Sequence, residues 1–313
     1  MTLIDYISKS TGLRKSYIER VVTKAPYSYK KYTIPKKNGG VREIFHPRAE
    51  LKVIQRFLVE SIISTFPVHN CVYSYRQGRG IKSHAEVHRT NNFILRVDLR
   101  NFFPSIKARD IKALCLKNLD RLPLILNEDD VKIFCRIVCI HSAIDNELAL
   151  TIGSPASPAI SNAILFELDS NISEYCERYN VSYTRYADDL YFSTNQPQVL
   201  EKVYGKVCGH LNEINSPKLA INEDKTVYTS KKRRRVVTGV VLTSDNKLSI
   251  GRDEKRRVRT EIYIYLKGEL PVDKASTLRG QLNYYQSIEP SFLISLMRKF
   301  GKEQIISFMK PVG

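Results

Sequence analysis

The 313 residues carry 50 Lys and Arg against 32 Asp and Glu, a formal net charge of +18 and a pI near 9.6, on a chain that is 42% apolar and 10% aromatic. That apolar share buries a core and excludes wholesale disorder, and no apolar run approaches the ~18 residues of a membrane span. The charge excess calls for a polyanionic partner, nucleic acid or an anionic surface, because neutralising phosphates releases counterions. It is uneven: +12 over residues 1–97, −4 over 98–230 and +10 over 231–313. The length points to two domains or one architecture with subdomains. Residues 1–5 lack the basic and apolar regions of a signal peptide, so the expected location is the cytoplasm, with no membrane partner. Six scattered cysteines in mostly apolar contexts read as reduced core thiols.

In chain order, Leu13, Tyr17, Val21 and Val22 at helical spacing predict a helix over 1–25, stopped by Pro26. Residues 32–45 read as two short strands around Asn38, Gly39 and Gly40, with Lys36 and Lys37 near the tip and Arg42 on the returning strand. A helix over 49–65 and a strand over 93–99 follow, then helices over 107–119, 128–140 and 156–179. Residues 181–193 are Tyr-rich and β-branched on both sides of Ala187, Asp188 and Asp189, which predicts a hairpin. A helix over 197–214 precedes strands over 225–230, 236–242 and 247–250, and the chain from Asp253 on is helical and basic.

His84 and His88 have the spacing of a zinc protease pair, but Ala85 stands where that chemistry needs Glu. A zinc deaminase pattern and a Gly-Lys-Ser/Thr phosphate loop are both missing. The carboxylates carry more. Asp188 and Asp189 repel each other at a hairpin tip, a costly arrangement unless it serves a purpose, although solvated turn aspartates are common. Asp98, at the end of a separate apolar strand, would be poorly placed alone. Brought together, the three form a hard-oxygen site suited to Mg²⁺, and two such ions suit phosphoryl transfer.

These residues also carry a resemblance. Tyr186-Ala-Asp-Asp189 resembles the Tyr-x-Asp-Asp box of reverse transcriptases, and the stretch from Arg96 to Ile106 resembles their first palm motif. Residues 152–162 resemble the Gln-Gly-x-x-x-Ser-Pro segment, with Ile152 in place of Gln, and residues 219–226 the Lys-containing palm motif. Val237-Thr-Gly239 with residues 248–252, and Ala85 to His88 with His84 in place of Asn, are similar to elements of the bacterial retron enzymes. The resemblance implies an α+β right-hand polymerase fold: an N-terminal helix and fingers (1–97), a palm of antiparallel sheet packed on helices (98–250, with finger-side helices around 107–150) and a small helical thumb (251–313).

It implies an RNA-directed DNA polymerase whose catalytic residues are Asp98, Asp188, Asp189 and Lys225. The three aspartates would hold two Mg²⁺, and Lys225 would protonate the leaving pyrophosphate; a plain surface lysine is the other reading. Lys36, Lys37, Arg42, Phe103 and Gly153 would meet the incoming dNTP, Phe103 as a gate against the ribose 2′-OH. RNA contacts would fall to His88, Thr238, Gly239, Arg252, Lys255, Arg256, Arg257, Arg259 and Arg279. Further implied are a cognate structured non-coding RNA, priming from an RNA 2′-OH, a branched RNA-linked single-stranded DNA product (msDNA), and host RNase H for template removal. A role in anti-phage defence with an effector protein is also implied. An intron or diversity-generating reverse transcriptase, or a non-catalytic RNA-binding scaffold of the same fold, are the alternatives.

Overall fold

The computed structural model describes residues 1–35, 39–124, 126–142 and 145–310. In chain order these form α1 (Leu3–Thr11), α2 (Lys15–Lys24), β1 (Tyr29–Pro35), β2 (Val41–Pro47), α3 (Ala49–Ser61), α4 (Ile81–His88), β3 (Phe93–Arg100), α5 (Phe102–Ser105), α6 (Ala108–Lys117) and α7 (Glu128–Val138). Then follow β4 (Ile140–His141), β5 (Leu148–Ala149), α8 (Ala156–Ile164), α9 (Phe166–Arg178), β6 (Ser182–Tyr186), β7 (Asp189–Thr194), α10 (Val199–Glu213), β8 (Ala220–Ser230), β9 (Arg235–Val237), β10 (Val240–Leu242) and β11 (Leu248–Ser249). The chain closes with α11 (Arg252–Leu266), α12 (Val272–Ile288), α13 (Pro290–Phe300) and α14 (Lys302–Met309).

Two compact units result: Met1–Tyr75, Arg96–Leu190 and Glu201–Thr226 form the first, and Arg76–Leu95, Tyr191–Leu200 and Val227–Gly313 the second. Where the elements differ from expectation, local chemistry explains the difference. The single helix expected over 1–25 is two, because Gly12 adopts φ +73° and closes α1, as a glycine in the left-handed region does at helix ends. Thr2 and Asp5 open α1 with reciprocal hydrogen bonds of 3.0 and 3.1 Å, the box that satisfies two otherwise unpaired amides. The helix expected over 156–179 divides at Leu165 into α8 and α9. Helix α4 was not anticipated; eight residues are too few to display a helical period.

In the first unit, β3 is buried along most of its length, as befits an inner strand covered on both faces. The sheet order is β6-β7-β3-β8, so the residues of β3 have β7 on one side and β8 on the other. The hairpin β1–β2 pairs Tyr29 with Pro47 through to Pro35 with Val41. Its second strand is tied to the segment before α8, where the Phe45 amide donates to the Ile152 carbonyl at 2.8 Å. Gly153 sits directly against this strand at φ +105°, and a Cβ there would lie 2.7 Å from the Phe45 carbonyl oxygen and 2.8 Å from Ile44 Cγ2.

The second unit combines the three-stranded sheet β11-β10-β9 with the C-terminal helices. Val258, Ile262, Leu278, Phe292, Leu296 and Ile305 pack its core. Glu289, between α12 and α13, accepts from Ser249 Oγ at 2.8 Å and the Ile250 amide at 3.1 Å, and pairs with Lys255. Five of the six thiols are buried and Cys208 is half-buried; burial raises the thiols of Cys71, Cys115, Cys135, Cys139 and Cys176 above their ordinary range. Among the described residues no helix is long and apolar enough to cross a membrane.

The crowding at Gly153 has a measurable consequence. Gly153→Ala places a methyl group against a backbone carbonyl that cannot rotate away, and overpacking of this kind costs about 1–3 kcal/mol, with the positive φ adding to it. Urea unfolding of the variant is expected to show that loss.

Candidate active site

The turn between β6 and β7 carries Ala187, Asp188 and Asp189. Ala187 is buried and takes φ +56°, a region that residues with a Cβ seldom enter. It is held there from both sides of its peptide. Its amide donates to Ser74 Oγ at 2.8 Å, and its carbonyl accepts from Arg185 Nη1 at 3.3 Å.

Arg185 is itself fully buried, as is its partner Asp169 on α9. Its Nε lies 2.9 and 3.1 Å from the two oxygens of Asp169, and its Nη2 lies 2.7 Å from Oδ2. The Tyr183 hydroxyl donates to the same carboxylate at 2.8 Å, and Arg185 Nη1 donates to Asn162 Oδ1 at 3.1 Å. Asn162 in turn donates to the Ser74 carbonyl at 3.1 Å. The backbone of Arg185 is pinned as well, accepting from the Tyr73 amide at 2.9 Å and donating to the Cys71 carbonyl at 2.8 Å. Strain of this kind persists only where the surroundings over-determine it, and here a closed polar network does so.

The turn leads directly to the carboxylates. The Asp188 carbonyl accepts from the Leu99 amide at 2.9 Å, which brings the turn alongside Asp98, the residue before Leu99 on β3. Asp98 is only 3% exposed. Lys225 Nζ on β8 lies 3.1 Å from both of its oxygens, and Asn222 Nδ2 donates to Oδ1 at 3.0 Å. On the other side of β3, Arg96 forks onto Asp189, with Nε 2.9 Å from Oδ1 and Nη2 3.0 Å from Oδ2.

Electrostatics follow the burial. Loss of water raises the Asp188 carboxyl above its usual range, and the neighbouring charge of Asp98 raises it further. Asp189 is pushed up to about 6, chiefly by burial, with Asp188 and Asp98 adding to the push while Arg96 opposes it. Two carboxyls raised together beside a third need positive charge, and Arg96, Lys225 and the field of Arg42 supply it. Among the described residues no three His, Cys, Asp or Glu side chains are gathered closely enough to hold a metal ion. Asp98 and Asp189 are instead engaged by their basic partners.

The family model for reverse transcriptase (RNA-dependent DNA polymerase) matches residues 34–242. The retron Ec83 reverse transcriptase of Escherichia coli is 36% identical over 97% of this chain and 98% of its own length. The retron Ec73 reverse transcriptase of the same organism is 31% identical over 97% and 96%. This chain belongs to the retron reverse transcriptases. It is an RNA-directed DNA polymerase. Among solved structures, telomerase from Candida albicans in complex with a fragment of telomeric RNA superposes with a TM-score of 0.52 at 12% identity. That match covers 93% of this chain and 58% of the telomerase chain, a likeness of fold alone, and with it the α+β polymerase fold stands. Reverse transcriptases act with divalent metal ions; here Asp188 and Asp189 are raised by desolvation and by the charges of neighbouring carboxylates, which is the chemistry of hard-oxygen donors, although the three aspartates are not gathered into a metal-holding group.

The remaining expected site residues of the reverse transcriptase divide clearly. Arg42 is exposed on β2, and its charge reaches both Asp188 and Tyr75. Phe103, in the short helix after β3, is half-buried with its ring 5.3 Å from that of Phe102. Gly153 has its Cβ space filled by β2, a close backbone approach within the protein. Lys36 and Lys37 lie outside the described residues. Sequence reading missed the Arg96 clamp, the Asn222 donor and the Asp169–Arg185 brace. The first had a signal, since Arg96 and Asp98 are two apart on a strand and share a face.

In the second unit, His88 has no exposed surface, and its Nδ1 lies 2.7 Å from Ser193 Oγ. His84 Nδ1 lies 2.7 Å from Thr238 Oγ1, and the Thr238 amide donates to the Tyr191 hydroxyl at 3.2 Å. Thr238 and Gly239 form a two-residue turn between β9 and β10 with φ +47° and +86°. Such mirror-type hairpin turns ordinarily take Asn and Gly, so a β-branched Thr needs the anchoring that His84 and Tyr191 provide. Along α11 and α12 the basic residues have different fates. Arg257 is engaged by Glu254, Glu261 and Gln281, Lys255 by Glu289, and Arg279 by the Phe308 carbonyl. Arg252 and Arg256 are exposed, and Arg259 lies over the Phe292 ring.

Two outcomes follow. Asp169→Asn removes the charge that compensates a fully buried arginine, and breaking such a pair costs about 3–5 kcal/mol; urea unfolding is expected to show a loss of that order, together with reduced primer extension. Burial lowers His84 and His88 to about 3. A depressed folded pKa contributes stability above the unfolded value of ~6.5 that is lost as pH falls from there towards 3, about 2 kcal/mol per imidazole by pH 5. Unfolding measured between pH 7 and 5 is expected to show this slope, and His84→Asn to reduce it by about half.

Proposed function

We propose that the enzyme binds its own structured non-coding RNA and copies part of it into msDNA, a branched single-stranded DNA joined to the RNA through a 2′-OH. The observation carrying this reading is the set of Asp98, Asp188 and Asp189 in one unit of a chain similar along nearly its whole length to the retron Ec83 enzyme. In this reading Asp98 and Asp188, with Asp189 beside them, would hold two Mg²⁺, which in such sites activate an attacking hydroxyl and stabilise a leaving oxygen. Arg42, with Lys36 and Lys37, meets the triphosphate. Phe103 closes the sugar pocket against a 2′-OH. Lys225, after leaving Asp98, donates a proton to the departing pyrophosphate.

The residue roles in RNA binding also divide. The exposed Arg252 and Arg256 are one turn apart on α11 and suit phosphates, whereas His88, Lys255, Arg257 and Arg279 act indirectly by holding the elements that carry the contacts. Thr238 and Gly239 present a fixed turn to the RNA, and Arg259 on α11 adds a further contact. Residues 1–97, 98–250 and 251–313 serve as fingers, palm and thumb. The similarity to retron enzymes further supports a cytoplasmic setting, template removal by host RNase H, and a defence role with an effector protein.

The decisive measurement is made in cells expressing the protein with its RNA. Asp188→Asn combined with Asp189→Asn is expected to abolish msDNA while leaving the RNA bound to the purified protein. Normal msDNA from that double variant would refute the reading.

A further inference from the structure

The two basic side chains on the carboxylates are not equivalent, and the difference bears on how the site takes up a divalent ion. Arg96 and Asp189 are fixed by neighbouring strands, β3 and β7, and the contact is a two-point fork on a carboxylate whose side chain is 16% exposed. A planar guanidinium matches a carboxylate in this way with little further loss of freedom. Lys225 approaches Asp98 from β8 with a side chain that is 55% exposed, and its ammonium sits at 3.1 Å from both oxygens of a carboxylate that is 5% exposed. It holds the position a cation shared by those two oxygens would take. Its flexible stem and open side give it an easy exit into water.

We propose that Arg96 and Lys225 are built-in counter-cations of the carboxylate set, and that only Lys225 is displaceable. Lys225 competes with the divalent ion for Asp98 and leaves when the ion binds. Arg96 remains on Asp189 in both states as a positioning residue, holding that carboxylate in place rather than yielding it. Before loading, the pair keeps three neighbouring carboxylates compact, because a buried charge stripped of its partner is strongly destabilising. On loading, the release of Lys225 makes the same ammonium available to the leaving group. The proposal rests on the reading of Asp98 and Asp188, with Asp189 beside them, as the metal-binding set.

The test uses the full chain without nucleic acid, titrated with Mn²⁺, with free Mn²⁺ followed by electron paramagnetic resonance and Tm measured with and without the ion. Lys225→Met is expected to tighten Mn²⁺ binding about twofold to fivefold, the range for removing a competing charge pair, to lower Tm without metal and to enlarge the rise in Tm on adding Mn²⁺. Lys218→Met, which removes an exposed positive charge from the same unit, is expected to change the affinity less than about twofold on the same scale. Arg96→Met is expected to lower Tm with and without Mn²⁺ and not to tighten binding. Unchanged or weaker Mn²⁺ binding in Lys225→Met, equal tightening in Lys218→Met, or tightening in Arg96→Met would each overturn the proposal. Mn²⁺ binding in Asp98→Asn as tight as in the wild type would instead overturn the underlying assignment of the metal set.

Discussion

The site depends on an ion pair that never meets solvent. Arg185 and Asp169 are completely buried, and the desolvation of two charges is repaid only when geometry is excellent and the remaining donors are satisfied. Here each nitrogen of the guanidinium has a partner, and the carboxylate also takes the Tyr183 hydroxyl. A hydrophobic pair of similar volume would fill the space without demanding one arrangement. The charged pair does demand one, and what it specifies is the position of Asn162, Ser74 and the Ala187 peptide. Ala187 at positive φ is thus imposed from behind, and the two aspartates that follow are presented by a turn that cannot relax.

The second unit solves a similar problem with neutral groups. Thr238 is forced into the left-handed region, and the forces that hold it come from an imidazole and a phenol. Because burial keeps His84 uncharged near neutral pH, it anchors the turn without introducing a charge. At position 84, where the resembling family has Asn, His84 spans to Thr238 Oγ1 while its ring packs edge-on to Tyr191 at 5.0 Å.

The chemistry was legible in the sequence wherever it depended on residue identity at close spacing. Asp188 and Asp189 are adjacent, Asp98 ends an apolar strand, and the segments around them are ordered as in other reverse transcriptases. Most helices and strands were legible for the same reason, since period and punctuation are local; the breaks at Gly12 and Leu165 were missed because amphipathic patterns run on across a short interruption, and the strand expected over 236–242 is instead the hairpin β9–β10 around Thr238 and Gly239. What could not be read was pairing between distant segments. Asp169 meets Arg185 across 16 residues, and Arg96 meets Asp189 across 93. Nothing in composition distinguishes those carboxylates from solvated ones.

The same limit governs the meaning of the net charge. A count of +18 treats each lysine and arginine as available to a polyanion, yet Lys255, Arg257 and Arg279 are engaged within the second unit, and Arg185 and Arg96 within the first. Those cations raise the count while serving the fold or the carboxylates. The acidic centre needs a corresponding correction, for much of its negative charge is balanced at contact distance: Asp169 by Arg185, Asp189 by Arg96 and Asp98 by Lys225. Of these three pairs the first is sealed, the second is clamped and the third is open to water. An arriving cation therefore finds the carboxylates neutralised to different degrees, and the easiest exchange lies at Asp98, where the partner is a flexible lysine with more than half its side chain in solvent.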